Sequence, residues 1–215
     1  MKSILLIGLG RFGVHVVDQL YEMGHQVMAI DQDEERVNNI IDKVTNGQIG
    51  DITNPDFLQS LDIPSYDLCI VTVGQDFKSS LITTALLKEL GAKYVVSRAE
   101  TDIHEKLLLK NGADEVIYPE REIARWTAIK YSEDKIYDYV ELSEDHSITE
   151  VAVPDEWVNC SVKELNLRGK YGINLLAIKK NGSMNFTITP DTILEEGSTI
   201  LVLTDFENLK KCFHI

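Results

Sequence analysis

Along the first 118 residues, short β-branched and apolar runs alternate with stretches in which apolar positions recur every three or four residues. Runs at residues 3–7, 26–30, 48–49, 68–73, 94–97 and 115–118 predict strands, and most lack polar alternation, as strands buried on both faces do. Between them, Val14, Val17, Leu20 and Tyr21, and later Leu81, Ala85, Leu86 and Leu90, fall at helical spacing, with Gly24 and Gly91 placed to end those helices. Asp102 and Glu105 predict a capping box for a helix that runs to Lys110 and closes at Asn111 and Gly112. This alternation predicts an α/β fold, a Rossmann-type doubly wound parallel sheet.

After Tyr118 the rhythm changes. Residues 120–131 read as a helix, and β-like runs follow at 147–153, 173–180, 185–189 and 199–203, before a helical 207–213. Asn181-Gly182 lies between two such runs and predicts a two-residue hairpin, because both central positions of that turn need positive φ. A second, smaller α+β domain is expected. The boundary falls near residue 135, giving domains 1–134 and 135–215 joined through the helix itself.

Charge narrows the partners. The 215 residues hold 21 Lys and Arg against 35 Asp and Glu, a formal net charge of -14, which repels a phosphate backbone and argues against nucleic acid. Cys69, Cys160 and Cys212 are odd in number and far apart, which suggests a reducing compartment. The N-terminal apolar run breaks at glycines too early for a signal segment or a membrane span, so a cytoplasmic location is expected.

Gly8-Leu9-Gly10-Arg11-Phe12-Gly13 follows the first strand directly and opens the first helix. In that context Gly8 permits a tight turn, Gly10 lets backbone approach phosphates, Gly13 permits close packing, and the helix N-terminus offers free N–H groups. Asp31 closes the second strand, where a carboxylate accepts bonds from both ribose hydroxyls and repels a 2'-phosphate. NADP is therefore disfavoured. Arg11, inside the loop, suits a terminal phosphate better than an uncharged nicotinamide ribose, which points to ATP or ADP with NAD or NADH as the alternative. Gly50-Asp51-Ile52-Thr53, after the third strand, either lines the adenine side or forms a plain turn before a capped helix. The candidate set is completed by Phe12, Gln32 and Gly74.

Hydride transfer needs a proton donor, and the five histidines, His15, His25, His104, His146 and His214, are scattered without a partner motif. There is no Walker A lysine, paired-cysteine metal spacing or nucleophile elbow. Binding without chemistry is the better reading, ahead of an NAD-dependent oxidoreductase, and it leaves open both a regulatory subunit and a stand-alone nucleotide sensor.

IGLGRFG, VMAID, LLKELGA, NGADEVIYPER and LNLRGKYGINLLAIKKNG together resemble the RCK proteins, cytoplasmic regulators of bacterial potassium uptake of the KtrA and TrkA type, over nearly the whole chain. The resemblance implies homodimers assembled into an octameric ring on the inner face of the membrane, beneath a potassium transporter subunit of the KtrB/TrkH type. It implies that Gly8, Gly10, Gly13 and Asp31 hold the nucleotide while Arg11 reaches its terminal phosphate across a subunit interface. Arg98 takes the place of a basic residue near the nucleotide, and Glu120 that of an acidic residue meeting a divalent cation between subunits. On the residues alone, Arg98 is equally a strand-end surface arginine and Glu120 a first-turn helix carboxylate. In the second domain the resemblance implies a cyclic di-AMP site near Asn166, Arg168 and Tyr171, from which this chain departs at Gly169 and Lys163.

Overall fold

A computed structural model describes residues 1–74, 76–132, 135–143 and 145–213. His214 and residues 133 and 134, the last two of the expected first domain, lie outside this set. The chain divides into two compact units, Met1–Glu120 and Arg121–Ile215.

The first unit runs β1 (Ser3–Ile7), α1 (Arg11–Glu22), β2 (Gln26–Asp31), α2 (Glu34–Asn38), β3 (Asn46–Ile49), α3 (Pro55–Gln59), β4 (Leu68–Val71), α4 (Phe77–Glu89), β5 (Val95–Arg98), α5 (Asp102–Lys110) and β6 (Glu115–Ile117). Its six strands are all parallel, in the order β3-β2-β1-β4-β5-β6. Central β1 shows why the strands lack alternation. Leu5 and Ile7 pack with Ile30, Cys69, Val71 and Val95 on one face, while Leu6 packs with Val17, Val27 and Val37 on the other. Chain order reverses between β1 and β4, and the crevice beyond their carboxyl ends is where such sheets bind ligands.

Two local readings need correction. The cap of α5 is Thr101, one residue before Asp102; its hydroxyl accepts the His104 N–H at 3.2 Å, and Asp102 is already helical. In α4 the deepest face is not the leucine series but Ser80, Thr83, Thr84 and Leu87, while Leu81, Ala85, Leu86 and Leu90 are half-buried. Those hydroxyls tolerate burial because each is bonded: Thr83 donates to the Ile52 carbonyl at 3.1 Å, Thr84 meets Ser97 at 2.8 Å, and Ser80 meets the His104 ring at 3.2 Å.

The helix α6 (Pro119–Ser132) opens on a proline, whose missing N–H costs a helix nothing at that position. The second unit continues with β7 (Ile136–Glu141), β8 (His146–Ala152), α7 (Val162–Leu165), α8 (Leu167–Tyr171), β9 (Asn174–Lys180), β10 (Ser183–Asn185), β11 (Thr199–Asp205) and α9 (Phe206–Phe213). The antiparallel sheet runs β10-β9-β11-β8-β7 over a core of Val151, Trp157, Ile173, Leu194, Ile200, Val202, Leu209 and Phe213. Asn181 and Gly182 turn the β9–β10 hairpin with φ of 49° and 78°. The strand expected over 185–189 ends at Asn185, whose side chain accepts the Thr187 N–H at 2.9 Å and so bends the backbone away from a ladder.

Candidate functional site

The glycine loop is built by close contacts. Gly8 turns the chain out of β1 with φ of 100°, and its N–H donates to the Ile30 carbonyl at 2.8 Å. A Cβ on Gly13 would stand 2.0 Å from the Gly8 carbonyl oxygen and 2.8 Å from Thr72 Oγ1, so the first turn of α1 presses directly on the loop. Gly10 differs: a Cβ there meets nothing within 4 Å. No neighbour among the described residues demands that glycine, which lines a cavity of about 970 Å³. Gly10 also caps α1 without a side-chain bond, and the first turn of that helix carries no acidic residue. An anion is the natural partner for such an end.

Asp31, 9% exposed at the end of β2, ties this loop to the next strand. Its Oδ2 accepts the Leu9 N–H at 2.6 Å, its Oδ1 accepts the Asp33 N–H at 2.9 Å, and Arg36 stands 3.6 Å away. Across the cavity Arg98 closes β5, with Glu100 at 3.2 Å and Glu120 in hydrogen-bond contact. Asp76 caps α4 nearby, and the Ser79 hydroxyl, with its own N–H, holds the Asp76 carboxyl below the ordinary aspartate range. Behind this wall His104 is buried against Phe77, ring centres 4.8 Å apart, and burial pushes its pKa down.

Of the residues singled out in the sequence, Gly8, Gly10, Arg11, Phe12, Asp31, Gln32, Gly74, Arg98 and Glu120 line this one cavity. Gly13 lies under the loop rather than on the wall. Gly50 and Asp51 also stand off it. A Cβ on Gly50 would strike the Phe57 ring at 2.2 Å, and Asp51 binds the Thr53 hydroxyl and N–H at 2.7 and 2.9 Å, which lowers its pKa. Ile52, from the same four-residue turn, does line the cavity, and so do His15, Arg36, Thr72 and Glu100, which the local motif does not signal. Thr72 and Glu100 could have been sought, since both follow a strand at its carboxyl end.

In the second unit Asn166 and Arg168 are exposed, whereas Tyr171 is half-buried with its ring 5.5 Å from Trp157. A Cβ on Gly169 would meet the amide end of the exposed Asn166 side chain at 2.6 Å, so a larger residue there would displace Asn166. Among the described residues no three His, Cys, Asp or Glu side chains cluster as a metal site, and no helix is long and apolar enough to cross a membrane.

Residues 4–119 match the TrkA-N domain family and residues 148–214 the TrkA-C domain family. The chain is 35% identical to "Ktr system potassium uptake protein C" of Bacillus subtilis over 98% of its own length and 96% of that protein's. It is 34% identical to "Ktr system potassium uptake protein A" of the same organism, over 98% and 95%. Among solved structures it resembles the GsuK channel bound to NAD, with a TM-score of 0.68 at 16% identity, covering 97% of this chain and 38% of that one. At that identity the likeness is one of fold.

Proposed function

This chain belongs to the family that joins a TrkA-N to a TrkA-C domain, and on that premise we propose that it is a non-enzymatic regulatory subunit of a potassium uptake system, sensing adenine nucleotides. The carrying observation is the cavity beside Gly10. There the N-terminus of α1, which no side chain caps, shares the cavity wall with Arg11 and Arg98, and Asp31 stands where it can take a ribose. ATP and ADP are the assigned ligands, with NAD and NADH the alternative. The fold of the NAD-bound GsuK channel and the potassium-uptake role in the relatives' names support both halves of this reading.

Regulation requires that two states of the protein bind the ligand differently; a tenfold difference supplies about 1.4 kcal/mol toward a change of state. The proposed setting is a ring of dimers beneath a membrane subunit of the KtrB/TrkH type, on the cytoplasmic face. Glu120 would give one carboxylate to a divalent cation; among the described residues of one chain no three such side chains cluster, so a second copy would complete the set. Cyclic di-AMP is the proposed second ligand of the C-terminal unit. The exposed Arg168 of two copies could grip its two phosphates, while Tyr171, packed on Trp157, shapes the site's floor. The test is potassium flux into vesicles that hold the transporter subunit. Adding this chain should make flux depend on whether ATP or ADP is present, and flux indifferent to both chain and nucleotide refutes the reading.

A further inference from the structure

Arg98 is held in an unusual way. Its side chain is 14% exposed and its Nη2 pairs with two carboxylates at once, Glu100 and Glu120, while its Nε is buried with no hydrogen-bond partner among the described residues. The guanidinium carbon lies 5.7 Å from the centre of the Phe12 ring, and Nη1 lies 2.5 Å from where a Cβ on Gly74 would stand. The cation is therefore wedged between the glycine loop and the end of β4, on the cavity wall. Two carboxylates on one guanidinium leave a net negative charge, so a further anion can approach Arg98 only by replacing one of them.

The two are not equally held. Glu100 sits two residues from Arg98, and its side chain is 35% exposed. Glu120 comes from another element, the start of α6, and is 60% exposed. The Glu120 half of the pair is exposed to water and so weakly held, whereas a phosphate brings more charge and three acceptor oxygens. We propose that Arg98 exchanges partners: a nucleotide phosphate reaching the end of β5 displaces the Glu120 carboxylate, so a filled cavity and a tethered start of α6 exclude each other. This rests on the nucleotide reading of the same cavity and adds the means by which phosphate is sensed. Adenosine would leave the Arg98–Glu120 pair in place, and ATP would break it.

The experiment is calorimetric titration of ATP and adenosine, in EDTA so that no divalent ion bridges carboxylate and phosphate. Wild type, Glu120→Gln, Arg98→Gln and the double variant are compared, each checked for a native melting transition. Removing the internal competitor should raise the ratio of ATP to adenosine affinity about two- to fivefold, the scale of an exposed ion pair. That gain should vanish in the Arg98→Gln background and shrink at high salt. Glu120→Asp, whose shorter side chain falls back from Arg98, should move the ratio in the same direction should the glutamine variant fold poorly. A ratio that is unchanged or lower in folded Glu120 variants overturns the exchange while the nucleotide site stands. Wild type that binds neither ligand overturns the nucleotide reading and the exchange with it.

Discussion

Gly10 and Gly13 lie three residues apart in one loop, yet the structure separates them cleanly by what a side chain would meet. On Gly13 a Cβ collides with the Gly8 carbonyl oxygen at 2.0 Å, a backbone atom that cannot swing aside, and with Thr72 Oγ1 at 2.8 Å. Thr72 is itself engaged, donating to the Ile7 carbonyl at 3.0 Å, so α1 must back away from β1 and β4. Overpacking of this kind costs about 1–3 kcal/mol. For a unit of this size each kcal/mol lowers the melting temperature by roughly 3–5 °C, so Gly13→Ala should melt about 3–15 °C below wild type. Gly10 has extended backbone at φ -69° and ψ -177°, and its missing Cβ faces open space. Gly10→Val should therefore melt within about 1 kcal/mol of wild type, the usual range for a change that makes no clash. Its branched side chain enters the volume assigned to phosphate, so ATP binding should fall below detection. Thermal unfolding by circular dichroism and calorimetric titration of ATP read the two effects separately. Gly13→Ala melting like wild type would refute the packing argument, and Gly10→Val binding ATP undiminished would refute the placement of the phosphates at this helix end.

Three further outcomes are expected. Arg11→Ala should weaken ATP about tenfold or more relative to adenosine, as loss of a charge-assisted bond implies; calorimetry that finds NADH clearly preferred, with the variant unchanged, removes the terminal-phosphate role. Burial lowers the pKa of His104 from its ordinary 6.5, so the unfolded chain binds more protons there, and the stability that the neutral ring contributes is complete above pH 6.5 and is lost as pH falls below it. The melting temperatures of wild type and His104→Gln should thus converge between pH 7.5 and 5, and a gap that stays constant counts against a titrating His104. Light scattering at micromolar concentration should give a mass well above the 24.3 kDa of one chain, with or without ATP; a strict monomer in both conditions leaves no ring to gate a transporter.

The parts of this molecule that local pattern revealed are those whose physics is local. Strands buried on both faces announce themselves as unbroken apolar runs, Asn181-Gly182 declares its turn because few residues accept positive φ, and the glycine loop is legible because strand, loop and helix are contiguous. What stayed hidden depends on neighbours far along the chain. The buried face of α4 is written in Ser80, Thr83 and Thr84, which read as polar until their bonding partners, Ile52, Ser97 and His104, are brought beside them. Gly50 reads equally as a ligand-facing glycine or a turn, and it is Phe57, seven residues on, that decides against a side chain there. Arg98 and Glu120 were singled out separately, 22 residues apart, and nothing in the spacing joined them. The parallel order β4-β5-β6 lays their segments side by side at the carboxyl edge, the same edge that receives the glycine loop. The topology that makes a nucleotide crevice therefore also delivers a carboxylate to the guanidinium that a phosphate needs. A site assembled this way answers to the charge of its ligand as well as to its shape.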